Sequence, residues 1–325
     1  MQVRLIDANA LGFAQYFIGK KAGHDNQRTH AVRGFLEHVR SRLHFSQGVV
    51  NLLLWDGRAQ WRYDLLPAYK SSRHKTPEQR EARETYEPQR PLIQRALNYF
   101  PVIQLLHPGA EADDLAFGLA GQLAAQGHLV DLSTSDTDWL SLVANRVRWV
   151  NAKKLTQVIE LDGFFKATGV SSPQLYAHAK AMAGDTTDDI PGVEDVGLKR
   201  AAALLAKYGS LEAALTAAED LLTFGAEAKY YQGLTDADVR ESVRRNVKLV
   251  DLSAGPVLQG SDIRTTVGQL DEMELAGLFD ELGFADYLTN WSYWGRPLSK
   301  ELEKADVLSV QRAISNIHFS WTAKR

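Results

Sequence analysis

Gly109-Ala110-Glu111-Ala112-Asp113-Asp114 is the stretch on which the fold of this chain turns. It follows a short apolar run at residues 102–106, which predicts a strand, and precedes residues 115–125, which read as a helix. Three acids therefore occupy a strand-to-helix turn. The same punctuation recurs on both sides of it. Residues 3–6 are a short apolar run ending in Asp7, and residues 49–55 are a continuous apolar run ending at Asp56. Residues 129–132 predict a fourth strand, followed by Ser133-Thr134-Ser135-Asp136-Thr137-Asp138. Between these runs, Val32, Phe35, Leu36, Val39 and Leu43 keep helical spacing, and residues 91–100 read as a further helix. Continuous apolar strands alternating with helices predict an α/β fold, with a mostly parallel central sheet flanked by helices.

In open parallel sheets, ligands bind beyond the carboxyl ends of the strands. Four successive strand ends deliver seven carboxylates there: Asp7, Asp56, Glu111, Asp113, Asp114, Asp136 and Asp138. Taken singly, each is an ordinary helix cap. Four strand ends in a row point further, because clustered carboxylates repel unless protons or cations sit among them. The chain has no cysteine, so thiolate sites and disulfides are excluded and any ion is held by oxygen or imidazole. Oxygen ligands of this kind suit Mg²⁺ or Mn²⁺. Two ions about 3.5–4 Å apart stabilise both the attacking and the leaving oxygen of a phosphoryl displacement. A further acidic cluster, Gly184-Asp185-Thr186-Thr187-Asp188-Asp189-Ile190-Pro191-Gly192, lacks the alternate acids and distant glutamate of a calcium loop.

Basic residues concentrate between these acids. Tyr69, Lys70, Arg73, Lys75, Arg80 and Arg83 fall within an insertion of about residues 67–91. Thr76 with Gln79 makes a capping box and Pro77 suits a first helical position, so a short helix is expected to start there. Glu78, Glu81, Glu84 and Glu87 would make it an ordinary salt-bridged surface helix. Its place just after Asp56 lets it overhang the acids, where its cations can engage phosphates and Tyr69 can stack on a base.

The remaining composition sets bounds. Hydrophobic content is 45%, charged content 24% and net charge −3, ordinary for a soluble globular protein of one or two domains. A negative net charge argues against a nucleic-acid binder unless the negative charge lies where metals neutralise it. No transmembrane run and no secretory leader are visible, and a cytoplasmic protein is expected. From about residue 171 the chain turns rich in alanine and leucine, with little strand signal. The expected organisation is an α/β domain at 1–166, a helical domain at 167–290 and an extension of unassigned role at 291–325. Gln311 and Ile314 hint at a clamp-binding peptide, but its aromatic pair would fall on Ile317 and His318, so that reading is rejected. His24, His30 and His107 are expected to be surface or core residues, not ligands.

Five blocks, in order, resemble the 5′-nuclease family of flap endonucleases, polymerase I 5′ nuclease domains and phage 5′–3′ exonucleases. They are Leu5-Ile6-Asp7-Ala8-Asn9, Leu54-Trp55-Asp56, Tyr69-Lys70 with Arg73, the two acidic turns at 111–114 and 133–138, and the run from Gly184 to Lys199. The resemblance implies a PIN-like α/β domain with a helical arch and a helical DNA-binding domain. It implies that Asp7, Asp56, Glu111, Asp113 and Asp114 serve a first metal position and Asp136, Asp138, Asp185 and Asp188 a second. It implies that Lys70 and Arg73 contact the scissile phosphate and Tyr69 stacks near the cut. Residues 183–208 resemble a helix-two-turn-helix that grips duplex backbone through Gly192, Gly197, Lys199 and Arg200 and often holds K⁺. Asp189 replaces the usual asparagine and Asp195 a usual glycine, and an acid at the latter would weaken phosphate binding. The function so implied is hydrolysis of DNA, from 5′ ends, nicks or flaps, to 5′-phosphate products. An RNA–DNA hybrid is a further possible substrate, and the protein is expected to act as a monomer away from membranes. The alternatives are a non-catalytic DNA-structure-binding homologue and an RNA-directed ribonuclease.

Overall fold

The computed structural model describes residues 1–21, 28–43, 48–217, 225–255, 259–299 and 301–317. Its centre is a seven-stranded sheet in the order β6-β5-β4-β1-β2-β3-β7, built from β1 (Gln2–Asp7), β2 (Val49–Trp55), β3 (Ile103–Leu106), β4 (Leu129–Thr134), β5 (Val147–Asn151), β6 (Val158–Ile159) and β7 (Arg264–Val267). The pairs β1–β2, β1–β4, β2–β3 and β4–β5 are parallel, and only the edge strands β6 and β7 run antiparallel. The chain steps outward from β1 through β2 to β3, then returns to the far side of β1 as β4. The strand order therefore reverses between β1 and β4, the place where open α/β sheets form their ligand crevice.

Helices cover the sheet. The first six are α1 (Ala8–Lys21), α2 (His30–Arg42), α3 (Gln60–Leu65), α4 (Pro77–Tyr86), α5 (Gln89–Leu97) and α6 (Ala112–Ala125). A helical unit follows with α7 (Phe164–Thr168), α8 (Pro173–Ala183), α9 (Leu198–Tyr208), α10 (Leu211–Thr216) and α11 (Ala237–Val250). The chain ends in α12 (Glu272–Glu281), α13 (Ala285–Thr289), α14 (Trp291–Leu298) and α15 (Lys304–Ser315). Alternation along the strands divides the core. Val3, Leu5, Val50, Leu52 and Leu54 face α6 and α15, whereas Ile6, Leu53 and Trp55 face α1, α2 and α5.

The capping box forms as the sequence requires. The Thr76 side chain accepts from Gln79 N, the Gln79 side chain accepts from Thr76 N, and Pro77 opens α4. At α8, Ser172 accepts from Leu175 N and Pro173 occupies the first turn.

The expected domain limits need correction. Residues 264–290 do not belong to a separate helical body. β7 pairs with β3, and Leu275, Phe279 and Tyr287 pack into the core that covers α2 and α5. The helical unit thus spans about residues 164–254, and the chain then returns to the sheet. An edge strand needs apolar residues on neither face if solvent covers it, which is why Arg264-Thr265-Thr266-Val267 gave no strand signal. β5 and β6 were missed as well. The segment 291–325, left without a role, has a structural one in its described part: Val310, Ala313, Ile314 and Ile317 are buried with α6 residues. That burial commits Ile314 and Ile317 to the core. His30 and His107 are buried, and His24 and His318 lie outside the described residues.

Candidate metal and nucleic-acid site

A crevice of about 470 Å³ opens at the β1/β4 reversal, where the carboxyl ends of β1, β2, β3 and β4 meet. Asp7, Asp56, Glu111, Asp113, Asp136 and Asp188 line it, together with Lys70, Arg73, Arg83 and Arg90. The strand ends place the acids because each strand stops where its apolar run stops. The acids divide into two electrostatic classes.

In the first class, each carboxylate is tethered by one neutral donor. Asp7 Oδ1 accepts from Ala10 N at 2.9 Å and Asp56 Oδ1 from Ala112 N at 2.8 Å. Asp113 Oδ1 accepts from the Trp139 indole Nε1 at 2.6 Å, and Asp136 Oδ1 from Asp138 N at 2.9 Å. None of the four forms an ion pair with a described residue. Burial, reinforced by Asp56, pushes the Asp7 carboxyl up to about 7. Burial and then Glu111 raise Asp56, burial and then Asp136 and Asp7 raise Asp113 far above the usual carboxylate range, and burial raises Asp136.

In the second class, each carboxylate has a cation from this chain. Asp114 takes both ends of the buried Arg62 guanidinium at 2.6 and 2.7 Å and also accepts from Glu111 N. Glu111 accepts from Lys70 Nζ at 2.6 Å and from the Tyr69 hydroxyl at 2.9 Å. Asp188 accepts from Arg73 at 2.6 Å and from Tyr69 at 3.1 Å. Lys180 bridges Asp138 and Asp185. Burial alone would raise Glu111, but Lys70 and Arg62 outweigh it and its pKa falls; Lys180 does the same for Asp185.

Several expected roles meet a different geometry. Asp114 was placed with the metal acids, yet both its oxygens are committed to Arg62 and it does not line the crevice. Tyr69 was expected to offer a stacking face, but it is only 3% exposed. Its ring packs edge-on against Tyr63 and its hydroxyl bridges Glu111 and Asp188. Lys75 and Arg80 lie outside the crevice lining, Lys75 reaching Asp189 at 3.5 Å. Asp189, at φ 55°, accepts from Ser72 N at 2.6 Å and so fastens the foot of the arch to the helical unit. Gly192 packs against the Ala183 carbonyl, where a Cβ would approach to 2.1 Å, so its missing side chain serves close packing. Gly197 precedes α9 in open space, Lys199 is exposed, and Arg200 donates to the carbonyl of Asp195, whose φ is 61°.

Four participants were not read from the sequence. Arg62 and Trp139 position acids. Phe13 and Phe17, four residues apart on α1, line the crevice; the Phe13 ring packs against Arg83 and Tyr86 of α4, and Phe17 is half exposed. Their i, i+4 spacing was a usable signal.

The donor chemistry of the first class fits hard divalent cations: carboxylate oxygens lining an open crevice, no sulfur, and no ion pair with a described residue. Among the described residues, no three His, Asp or Glu side chains converge on one point at ligand distance. The carboxylates line the crevice, held apart by their separate tethers. Among the described residues no helix is long and apolar enough to cross a membrane.

Comparison with known proteins places the geometry in context. Residues 2–169 match the family model for the N-terminal resolvase-like domain of 5′-3′ exonucleases, and residues 171–264 the model for their C-terminal SAM fold. The "5'-3' exonuclease" of Bacillus subtilis is 30% identical over 246 residues, covering 72% of this chain and 79% of that protein. DNA polymerase I of Chloroflexus aurantiacus is 29% identical over 288 residues, 86% of this chain but 29% of the polymerase. The chain thus spans under a third of the length of that relative. A solved structure of the bacteriophage T5 flap endonuclease, in a complex with DNA and metal ions, shares the fold with a TM-score of 0.59 and 20% identity, covering 96% of this chain and 99% of that one.

Proposed function

The chain belongs to the 5′-3′ exonuclease family, and from that premise we propose that it hydrolyses DNA phosphodiester bonds at 5′ ends, nicks or flaps. One observation carries the reading: Asp7, Asp56, Asp113 and Asp136 are brought to one crevice with no ion pair to a described residue, and the same crevice is lined by Lys70 and Arg73 from the turn before α4 and by Arg83 from α4 itself. An excess of clustered negative charge beside phosphate-binding cations is the arrangement metal-dependent phosphoryl transfer requires.

Asp7, Asp56, Glu111 and Asp113 would hold a first ion, and Asp136, Asp138, Asp185 and Asp188 a second, Mg²⁺ in the ordinary case with Mn²⁺ able to substitute. Asp114 is assigned to Arg62, which orients the Glu111 turn. When bound, the ions supply charge neutralisation at the phosphate and acidify water. The chain's own residues do the rest. Lys70 and Arg73, now paired with Glu111 and Asp188, exchange those partners for the phosphate and stabilise charge developing on its oxygens. Phe13 and Phe17 offer apolar rings to the sugar and base next to the cut, a role that buried Tyr69 does not take. The hairpin before α9, with Lys199 and Arg200, would hold duplex backbone and, when bound, a K⁺ ion. The protein acts as a monomer in phage-type replication, primer removal or repair.

The test is a product-length assay on 5′-labelled nicked, flapped and RNA-primed duplexes with Mg²⁺. Release of 5′-phosphorylated mononucleotides or short fragments, abolished in Asp138→Ala while DNA is still bound, is the expected result. Absence of release from all three substrates sinks the proposal.

A further inference from the structure

Away from the crevice, one half-face of the sheet is not filled by a helix among the described residues. Parallel sheets ordinarily bury both faces under apolar side chains. Here the central strand β1 presents Gln2 and Arg4 to that side, β4 presents Asp131 and Ser133, and β5 presents Arg148 and Val150. These residues line a groove of about 400 Å³, bordered by α2 through His38 and Arg42. It runs along the strands from Gln2 and Val49 at their amino ends to Ser133 and Ala152 at their carboxyl ends, the end that carries the crevice.

The charges in it do not balance. Three guanidiniums, Arg4, Arg42 and Arg148, face one buried carboxylate, Asp131. Asp131 is already taken by Arg148 Nε at 2.7 Å and by Gln2 Nε2 at 2.6 Å. Glu160 touches Arg148 from the solvent side at 3.4 Å. Arg4, with its side chain only 13% exposed, has two weak contacts, 3.5 Å to Asn51 and 4.0 Å to Asp131. Burial holds its pKa below the usual arginine value, with Arg148 adding repulsion. Arg42 forms no hydrogen bond or ion pair with a described residue. A buried, poorly paired guanidinium on the central strand is costly for folding and contributes nothing to the crevice chemistry. Beside these cations, Leu43, Val150, Leu155 and Val158 form an apolar wall.

We propose that this groove binds the phosphate of a nucleotide, with Arg4, Arg42 and Arg148 on the phosphate oxygens and the apolar wall against sugar and base. Guanidiniums match phosphate geometry with paired hydrogen bonds, and the apolar flank beside them offers surface to a sugar or base. The same chemistry is offered by a free nucleoside 5′-monophosphate and by a single strand lying along the groove, and the experiment separates them.

Binding is read in EDTA, so it does not depend on turnover. One arm follows anisotropy of a labelled oligothymidylate across a salt series; the other is calorimetric titration with thymidine 5′-monophosphate. Arg42→Gln is the main variant, because Arg42 is exposed and lies outside the crevice, and Arg4→Gln is the second. Loss of affinity by about tenfold in either arm supports the groove. A loss in the oligonucleotide arm alone, with the slope of log affinity against log salt shallower by about 0.7, identifies a strand track. A loss in the monophosphate arm identifies a product-sized site. Unchanged affinity and slope for both variants overturn the proposal, even where cleavage is intact. So does a change in elution volume with both affinities unaltered, which would make the face a protein interface.

Discussion

Asp113 and Asp114 are neighbours in sequence and opposites in environment. Asp114 closes a two-toothed pair with Arg62 inside the protein, whereas Asp113 is held by a neutral indole and raised far above the usual carboxylate range. The contrast extends to the whole site. Among the described residues Asp7, Asp56, Asp113 and Asp136 have no ion-pair partner, and Glu111, Asp114, Asp138, Asp185 and Asp188 each have at least one. One class awaits charge from outside. The other is neutralised from within and shapes the first.

The harshest way to break the comparison is to remove the internal cation. Arg62→Met leaves Asp114 and Glu111 buried without it, and unfolding free energy should fall by about 3–5 kcal/mol. Urea denaturation measures this; a loss below about 1 kcal/mol would show that Asp114 needs no internal counter-ion.

The second test turns on sign. Asp113→Asn keeps an oxygen for the Trp139 indole but removes a buried negative charge. Without metal the variant should be more stable than the parent by about 1–2 kcal/mol, while cleavage falls by about 100-fold or more. Asp188→Asn, drawn from the paired class, should instead be destabilised, since it weakens the hold on Arg73 and Lys70. Two shifts of the same sign in metal-free melts would erase the distinction between the classes.

The smallest effect is a pH dependence. A carboxyl raised to about 7 in the folded protein, as Asp7 is, keeps its proton where the unfolded chain, near the ordinary aspartate value of 3.8, has released it. Its unfavourable contribution is absent below the unfolded value, accumulates as pH rises from there to about 7, and is then complete. Asp56, Asp113 and Asp136 shift in the same direction. Glu111 and Asp185 are lowered, so their stabilisation is present above the ordinary carboxylate range and is lost as pH falls through it. Thermal melts should therefore show a Mg²⁺-induced rise in Tm that is larger at about pH 8 than at about pH 5. An equal rise at both would mean that the unpaired acids are not where the ion acts.

Much of the site was legible along the chain because a strand's end is a local event. Asp7, Asp56, Asp113 and Asp136 each follow an apolar run, and parallel strands send such ends to the same edge. The arch start was legible for a similar reason, since Thr76, Pro77 and Gln79 satisfy their own backbone. The partners were not. Arg62 meets Asp114 across 52 residues, Lys70 meets Glu111 across 41, and Arg73 meets Asp188 across 115. Nothing near Tyr69 in the sequence says that its ring is buried and its hydroxyl bridges two acids.

The sequence by itself determined the strand–helix alternation, the acids at the strand ends and the capped helix in the basic segment after Asp56, because hydrophobic period and capping are properties of neighbouring residues. Only the tertiary structure decided which acids are neutralised, that residues 264–317 return to the sheet, and that three arginines share a half-open face with one aspartate. Those outcomes depend on which charges meet in a buried place, and a charge's burial is fixed by packing across the whole chain.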